Sequence, residues 1–250
     1  MTIDRTHFQR RFSALPNWRC STCGKGLLAE DQTRRSMVEP TFSNDLHSED
    51  WWEPEHMTQR FASLLKCQNS SCGEIVFVAG NAVVEVYYDE EGPNYYDLLE
   101  PVTTTPSLGV FPLDDRWPES VRNQLKFAFS HLFCDPGASA NRLRATVECL
   151  MDDRGVRKYP RTGRRRPIDL HTRIVDFKDQ NSDAADLLLA VKWLGNTGSH
   201  ADVSGLTRED VLDGMELLER ALHLIYDDSA KRLAKLARDI NRRRGPRKRS

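Results

Sequence analysis

The chain has 250 residues, 39% hydrophobic and 29% charged, the balance of a soluble globular protein long enough for one large or two small domains. Its formal net charge of −1 hides segregation, because acids crowd residues 39–55 while Arg and Lys crowd residues 154–166 and 238–249. No apolar run reaches bilayer-spanning length, and the start Met1-Thr2-Ile3-Asp4-Arg5 lacks the apolar core of a signal peptide. A cytoplasmic protein with no membrane partner is therefore expected, and the absence of a P-loop, GxGxxG or GxSxG argues against those enzyme classes.

Cys20-Ser21-Thr22-Cys23-Gly24 has the form of a zinc knuckle, in which two intervening residues let backbone amides turn toward the sulfurs. Cys67 and Cys72, followed by Gly73, supply a second and looser pair. Four thiolates close a tetrahedral site, so Cys20, Cys23, Cys67 and Cys72 are expected to hold a structural Zn2+ as a zinc ribbon. Such a site leaves no coordination position for a substrate and folds the domain without catalysing. His47 and His56 lie between the pairs in an acidic insert and read as surface residues, and Trp51-Trp52 reads as an aromatic cover for a small core.

Two β-rich runs, Glu74–Ala79 and Val83–Tyr88, flank Gly80-Asn81 and predict a hairpin attached to the ribbon. Asp89 to Pro112, with its prolines and threonine run, reads as a linker holding at most one further short strand.

From Pro118 onward the period changes to that of helices. Val121, Leu125, Phe129 and Leu132 form one stripe, and Asp135-Pro136 stops that helix and starts the next. Leu143, Val147, Leu150 and Met151 form the second stripe, with Arg144 and Glu148 beside it four residues apart, and Gly155 ends the helix. Cys134 and Cys149 fall near or inside these patterns and suit packing.

The following loop carries Arg157, Lys158, Arg161, Arg164, Arg165 and Arg166, either a solvated charge run or a phosphate-binding arm. Ile168–Phe177 predicts a shorter helix. Ala184, Leu187, Leu188, Val191 and Leu194 then recur at helical spacing, and this helix is expected to end at Gly195. Thr207 with Asp210 three residues later reads as a cap for a helix through Val211, Met215, Leu218, Leu222 and Ile225, continuing through Leu233, Leu236 and Ile240.

Residues from about Pro118 to Asp228 resemble the bacterial domain of unknown function 4145, within the HEPN (higher eukaryotes and prokaryotes nucleotide-binding) superfamily. The resemblance rests on Leu143-Arg144-Ala145-Thr146-Val147-Glu148, on Leu170 and Ile174, and on Gly195-Asn196 followed by His200. It implies an antiparallel helical bundle, a homodimer and, in active members, metal-independent RNA cleavage in prokaryotic defence or toxin settings. Those members carry an Arg, a polar residue and a His four positions after it. Asn196 and His200 match the last two, whereas Gly195 stands in the Arg position, as is usual in the domain-of-unknown-function relatives.

Arg144, oriented by Glu148, could supply the missing cation to a catalytic set of His200, Asn196, Arg144 and Glu148. The same corner could equally be architectural, with Asn196 capping a helix and His200 fixing a crossing. The expectation is thus an α+β chain in three parts. Residues 1–112 form the zinc ribbon, hairpin and linker, residues 113–240 a HEPN-like bundle, and residues 241–250 a basic tail. Two functions remain open, an RNA-binding protein able to cut RNA and a non-catalytic protein–protein adaptor with loose nucleic-acid affinity.

Overall fold

Period-two burial builds the first half of the chain, whose computed structural model describes residues 3–162, 166–198, 205–227 and 229–246. Strands β1 (Trp18–Arg19), β2 (Leu27–Glu30), β3 (Ser36–Val38), β4 (Thr58–Cys67), β5 (Ile75–Asp89) and β6 (Gly92–Thr105) form one antiparallel sheet. Its order is β1-β2-β4-β5-β6, with β3 also paired to β4. In β4, Phe61, Ser63, Leu65 and Cys67 are buried while Ala62 and Lys66 between them, and Arg60 before them, are exposed, so one face of the strand meets the core. A short helix α1 (Thr41–Asn44) lies in the acidic insert between β3 and β4.

The strands correct two sequence expectations. The runs around Gly80-Asn81 do not fold back on each other; they form one continuous β5, paired along its length with β4 and β6. Gly80 marks a register shift at Ala79/Gly80, where a Cβ would collide with the Glu100 carbonyl, so the glycine signals a bulge and a close backbone approach instead of a turn. The presumed linker is largely β6, which tolerates Pro93 and Pro101 because it lies at the end of the strand order. The actual hairpin turn is Asp89–Gly92, where the Glu91 amide donates to Asp89 Oδ1 at 2.8 Å.

The helices follow as α2 (Glu119–His131), α3 (Pro136–Asp153), α4 (Leu170–Phe177), α5 (Ser182–Thr197), α6 (Arg208–Tyr226) and α7 (Ser229–Arg243). Asp135 caps α3 with Pro136 at its first position, and Thr207 and Asp210 form a reciprocal capping box on α6. The expected stripes of α2 and α3 are buried, as are Val211, Met215, Leu218 and Leu222 on α6. α2 packs on α3, α3 on α5, and α5 on α6.

Other expectations differ from the structure. α5 runs two residues past Gly195 to Thr197, so Asn196 lies inside the helix and does not cap it. The chain leaves helical geometry at Asp227, and α7 is a separate helix whose Leu233, Leu236 and Ile240 face solvent. Cys134 is exposed and Cys149 half-buried, so packing explains neither fully. Trp51 is also exposed, and only Trp52, whose ring lies 4.1 Å from His47, is partly covered.

Sheet and helices share one continuous buried cluster, from Phe8, Trp18 and Leu65 to Val147, Leu188 and Leu218. Phe8 and Trp18 lie against Phe133 with ring centroids 6.2 and 6.4 Å away. Arg208, at the first turn of α6, locks this seam by donating to the carbonyls of Leu132, Phe133, Phe8 and Gln9 at 2.6–3.4 Å. Burial, only partly offset by Glu209 and Glu100, lowers its pKa from the usual guanidinium value. Arg208→Met leaves those carbonyls without their donor and is expected to cost about 2–3 kcal/mol in chemical denaturation.

Candidate functional site

The two cysteine pairs converge at the end of the sheet. Cys67 is the last residue of β4, β2 pairs beside it, and the first knuckle links β1 to β2. The Cys20 amide donates to the Gly26 carbonyl and the Gly24 amide to the Cys20 carbonyl, both at 2.9 Å, which winds that knuckle into a tight turn. Cys72 is held similarly, its amide donating to the Asn69 carbonyl at 2.9 Å. Gly24 and Gly73, each directly after the second cysteine of its pair, have φ of +63° and +65°, a region that L side chains rarely adopt.

The four sulfurs lie within 4.8 Å of one another. Cys20 Sγ is 3.8 Å from Cys72 Sγ, and Cys23 Sγ is 3.7 Å from Cys67 Sγ. These separations are far beyond a disulfide's, about 2 Å. They match the roughly 3.8 Å edge of a tetrahedron whose metal–sulfur bonds are about 2.3 Å. The donor set fits a thiophilic metal ion.

Electrostatics support that fit. The amides of Gly26 and Lys25 hold the Cys23 thiol down at about 6, and the Gly26 amide lies 3.3 Å from its sulfur. Burial, reinforced by the neighbouring sulfurs, pushes the Cys67 thiol up to about 12. Without a cation the cluster therefore retains protons that a bound divalent ion would displace. Gly26 belongs to the site by shape, since a Cβ there would stand 2.5 Å from Cys67 Sγ. Its signal in the sequence was the second glycine of Cys23-Gly24-Lys25-Gly26. His47 and His56 lie apart, His47 bonded to Glu39 at 3.0 Å and His56 accepting from the Glu53 amide.

The second candidate lies where α5 crosses α3. Gly195 is buried against Arg144 and the Ala140 carbonyl, and a Cβ on it would approach both to less than 3.0 Å. One turn on, a Cβ on Gly198 would stand 2.5 Å from the Gly137 carbonyl. The spacing Gly195-x-x-Gly198 opposite Gly137-x-x-Ala140 was the overlooked signal, and it lets the two backbones touch.

Arg144 is thus beside Gly195, with its Nη2 3.0 Å from Glu148 Oε1 and its Nε buried without a hydrogen-bond partner among the described residues. Asn196 is half-buried on α5, and His200 lies outside the described residues. The structure therefore brings Arg144, Glu148 and the Gly195-Asn196 pair to one crossing.

The basic loop leaves the C-terminal end of α3. Arg157, Lys158, Arg161 and Arg166 are exposed, while Arg164 and Arg165 lie outside the described residues. The Ile168 amide donates to the Lys158 carbonyl at 2.9 Å and closes the base of the loop. Buried Arg173 of α4, which the sequence reading missed, anchors that base through Asp152 at 2.6 Å and the Val156 carbonyl at 2.9 Å. Lys158 lies 3.6 Å from the same Asp152.

Fold and sites together define an α+β protein, an antiparallel sheet ending in a four-cysteine cluster and followed by helices. Residues 126–243 match the family model of a domain of unknown function (DUF4145), which overlaps the helical segment singled out by Gly195-Asn196. Residues 7–103 match the model of a second domain of unknown function (DUF8608), which takes in all four cysteines. No curated protein and no solved structure matches the chain. Among the described residues no helix is long and apolar enough to cross a membrane.

Proposed function

We propose that the chain is a zinc-stapled RNA-binding protein, a four-cysteine zinc ribbon of residues 1–112 joined to a HEPN-like bundle of residues 113–240. RNA is held by the basic loop between α3 and α4. The observation that carries this reading is the cluster of exposed Arg157, Lys158, Arg161 and Arg166 on a loop pinned at its base by Arg173. Cations on a loop whose base is held meet a phosphate backbone at lower ordering cost than those on a free tail. Zn2+ suits four thiolates at these separations and serves to fold the ribbon. A homodimer and a role in prokaryotic defence follow from the HEPN resemblance and belong to the same proposal.

Cleavage is the second reading, favoured by an Arg144 Nε that is buried beside Gly195 and has no hydrogen-bond partner among the described residues. Against it, Glu148 already neutralises Arg144, and the close crossing leaves no room for a cation at position 195. A non-catalytic adaptor is the form the protein takes if it binds RNA loosely and never cuts.

RNA binding measured over a range of salt, with EDTA present, tests the proposal. Wild type and His200→Ala are expected to bind equally, with affinity falling steeply as salt rises. Replacing Arg157, Lys158, Arg161 and Arg166 by Ala is expected to reduce the log–log salt slope by about three. Cutting by wild type that His200→Ala abolishes would establish the nuclease. Salt-insensitive binding, or none at low salt, would leave the adaptor.

A further inference from the structure

Helix α7 presents an apolar stripe to water. Leu233, Leu236 and Ile240, spaced three and four residues apart on one face, are 58%, 42% and 42% exposed. The rest of the helix is basic, with Lys231, Arg232, Lys235, Arg238, Arg242 and Arg243 against a single acid, Asp239, to which Arg242 is paired at 2.9 Å. A fifteen-residue helix of this kind gains little from its own hydrogen bonds in water, and most helices are held by burying an apolar face. Nucleic acid could satisfy the charge of α7 but would leave the stripe wet.

The opposite surface lies elsewhere on the same chain. The insert of residues 39–55 holds six Asp and Glu and no Lys or Arg. Of these, Asp45, Glu49, Asp50, Glu53 and Glu55 are exposed and enter no ion pair among the described residues. Set among them are Phe42 and Trp51, 59% and 56% exposed, with Val38 just before the insert at 61%. Exposed rings of this size, rimmed by charge of one sign, make a surface for an apolar and basic partner.

We propose that α7 of one copy docks on the acidic aromatic insert of a second copy, seating Leu233, Leu236 and Ile240 against Phe42 and Trp51. Charge complementarity selects this pairing. Two α7 helices repel each other, as do two inserts, so helix-on-insert is the homotypic contact that both charge patterns favour. The contact is heterologous, and it closes into a pair when each copy lends its helix to the other's insert.

The test uses the full-length protein, stripped of nucleic acid, in light scattering across a concentration series. Wild type is expected to self-associate, and to do so less at high salt. Arg232→Glu/Lys235→Glu/Arg238→Glu on the helix, and Glu49→Lys/Asp50→Lys/Glu53→Lys on the insert, are each expected to weaken association by about tenfold or more. All six side chains are exposed, so circular dichroism should show both variants folded. Mixing the two variants should restore association, because the native helix of one meets the native insert of the other while the reversed helix meets the reversed insert. Cross-links from α7 to the insert, in a mixture of isotopically heavy and light copies, should join heavy to light. A monomer at every concentration, association that both variants retain, no recovery on mixing, or cross-links confined to single chains would each overturn the proposal.

Discussion

Gly195→Arg, which places an arginine where the HEPN resemblance leads one to expect it, is expected to unfold the helical half of the chain and confer no RNA cleavage. A Cβ at this position already falls within 3.0 Å of Arg144 Cβ and the Ala140 carbonyl, and both belong to α3. Neither is the far end of a flexible side chain, so the helices themselves must part. Gly195→Ala alone is expected to cost about 1–2 kcal/mol even though alanine favours an isolated helix by about 1 kcal/mol. Gly195→Arg adds a long charged side chain at a buried crossing and is expected to lose more than about 3 kcal/mol. Denaturant titration of both variants checks the order. The glycine is thus an adaptation of the crossing, where it lies against Arg144 and the Ala140 carbonyl.

Cys67→Ser is expected to have the largest effect of any single change. The side chain ends the central strand β4, is buried, and shares the sulfur cluster with the three other cysteines. Metal binding in small four-ligand sites is worth on the order of 10 kcal/mol, against a total stability of about 5–15 kcal/mol for a typical domain. Losing one ligand is therefore expected to remove about 5 kcal/mol or more, and a strong chelator added to wild type should act in the same direction. Because the buried cluster runs without a break from the sheet into the helices, the damage should spread into the melting of α2 and α3. Cys134→Ser, at an exposed cysteine outside the cluster, provides the control and should shift stability by no more than about 0.5 kcal/mol. Thermal melts followed by circular dichroism separate the two.

How far the sequence spoke for itself depended on whether a signal was local. The stripes of α2, α3 and α6, the caps at Asp135 and Thr207, and the gathering of the four cysteines all follow from spacing within a few turns or from the known needs of a thiolate site. The errors arose where one residue type serves two purposes. Gly80 looked like a turn and is a bulge forced by the Glu100 backbone, while Pro93 and Pro101 looked like linker residues and sit in a strand at the end of the sheet order.

Gly195 likewise looked like a helix terminator because its reason for being glycine lies on another helix, and no spacing along α5 alone reveals Ala140 and Arg144. Arg173 and Arg208 were invisible for the same reason: buried arginines are recognised by the carbonyls and carboxylates they meet, which come from distant parts of the chain. The basic loop was legible as composition, but its pinned base was not.

X-ray absorption at the zinc edge, on protein purified without added metal, bears most directly on the proposal that zinc staples the fold. One zinc per chain, bound by four sulfurs at about 2.3 Å, is the predicted result, with Cys67→Ser failing to retain it. A protein that arrives metal-free, or with nitrogen and oxygen ligands, and melts at the same temperature before and after chelation would contradict it.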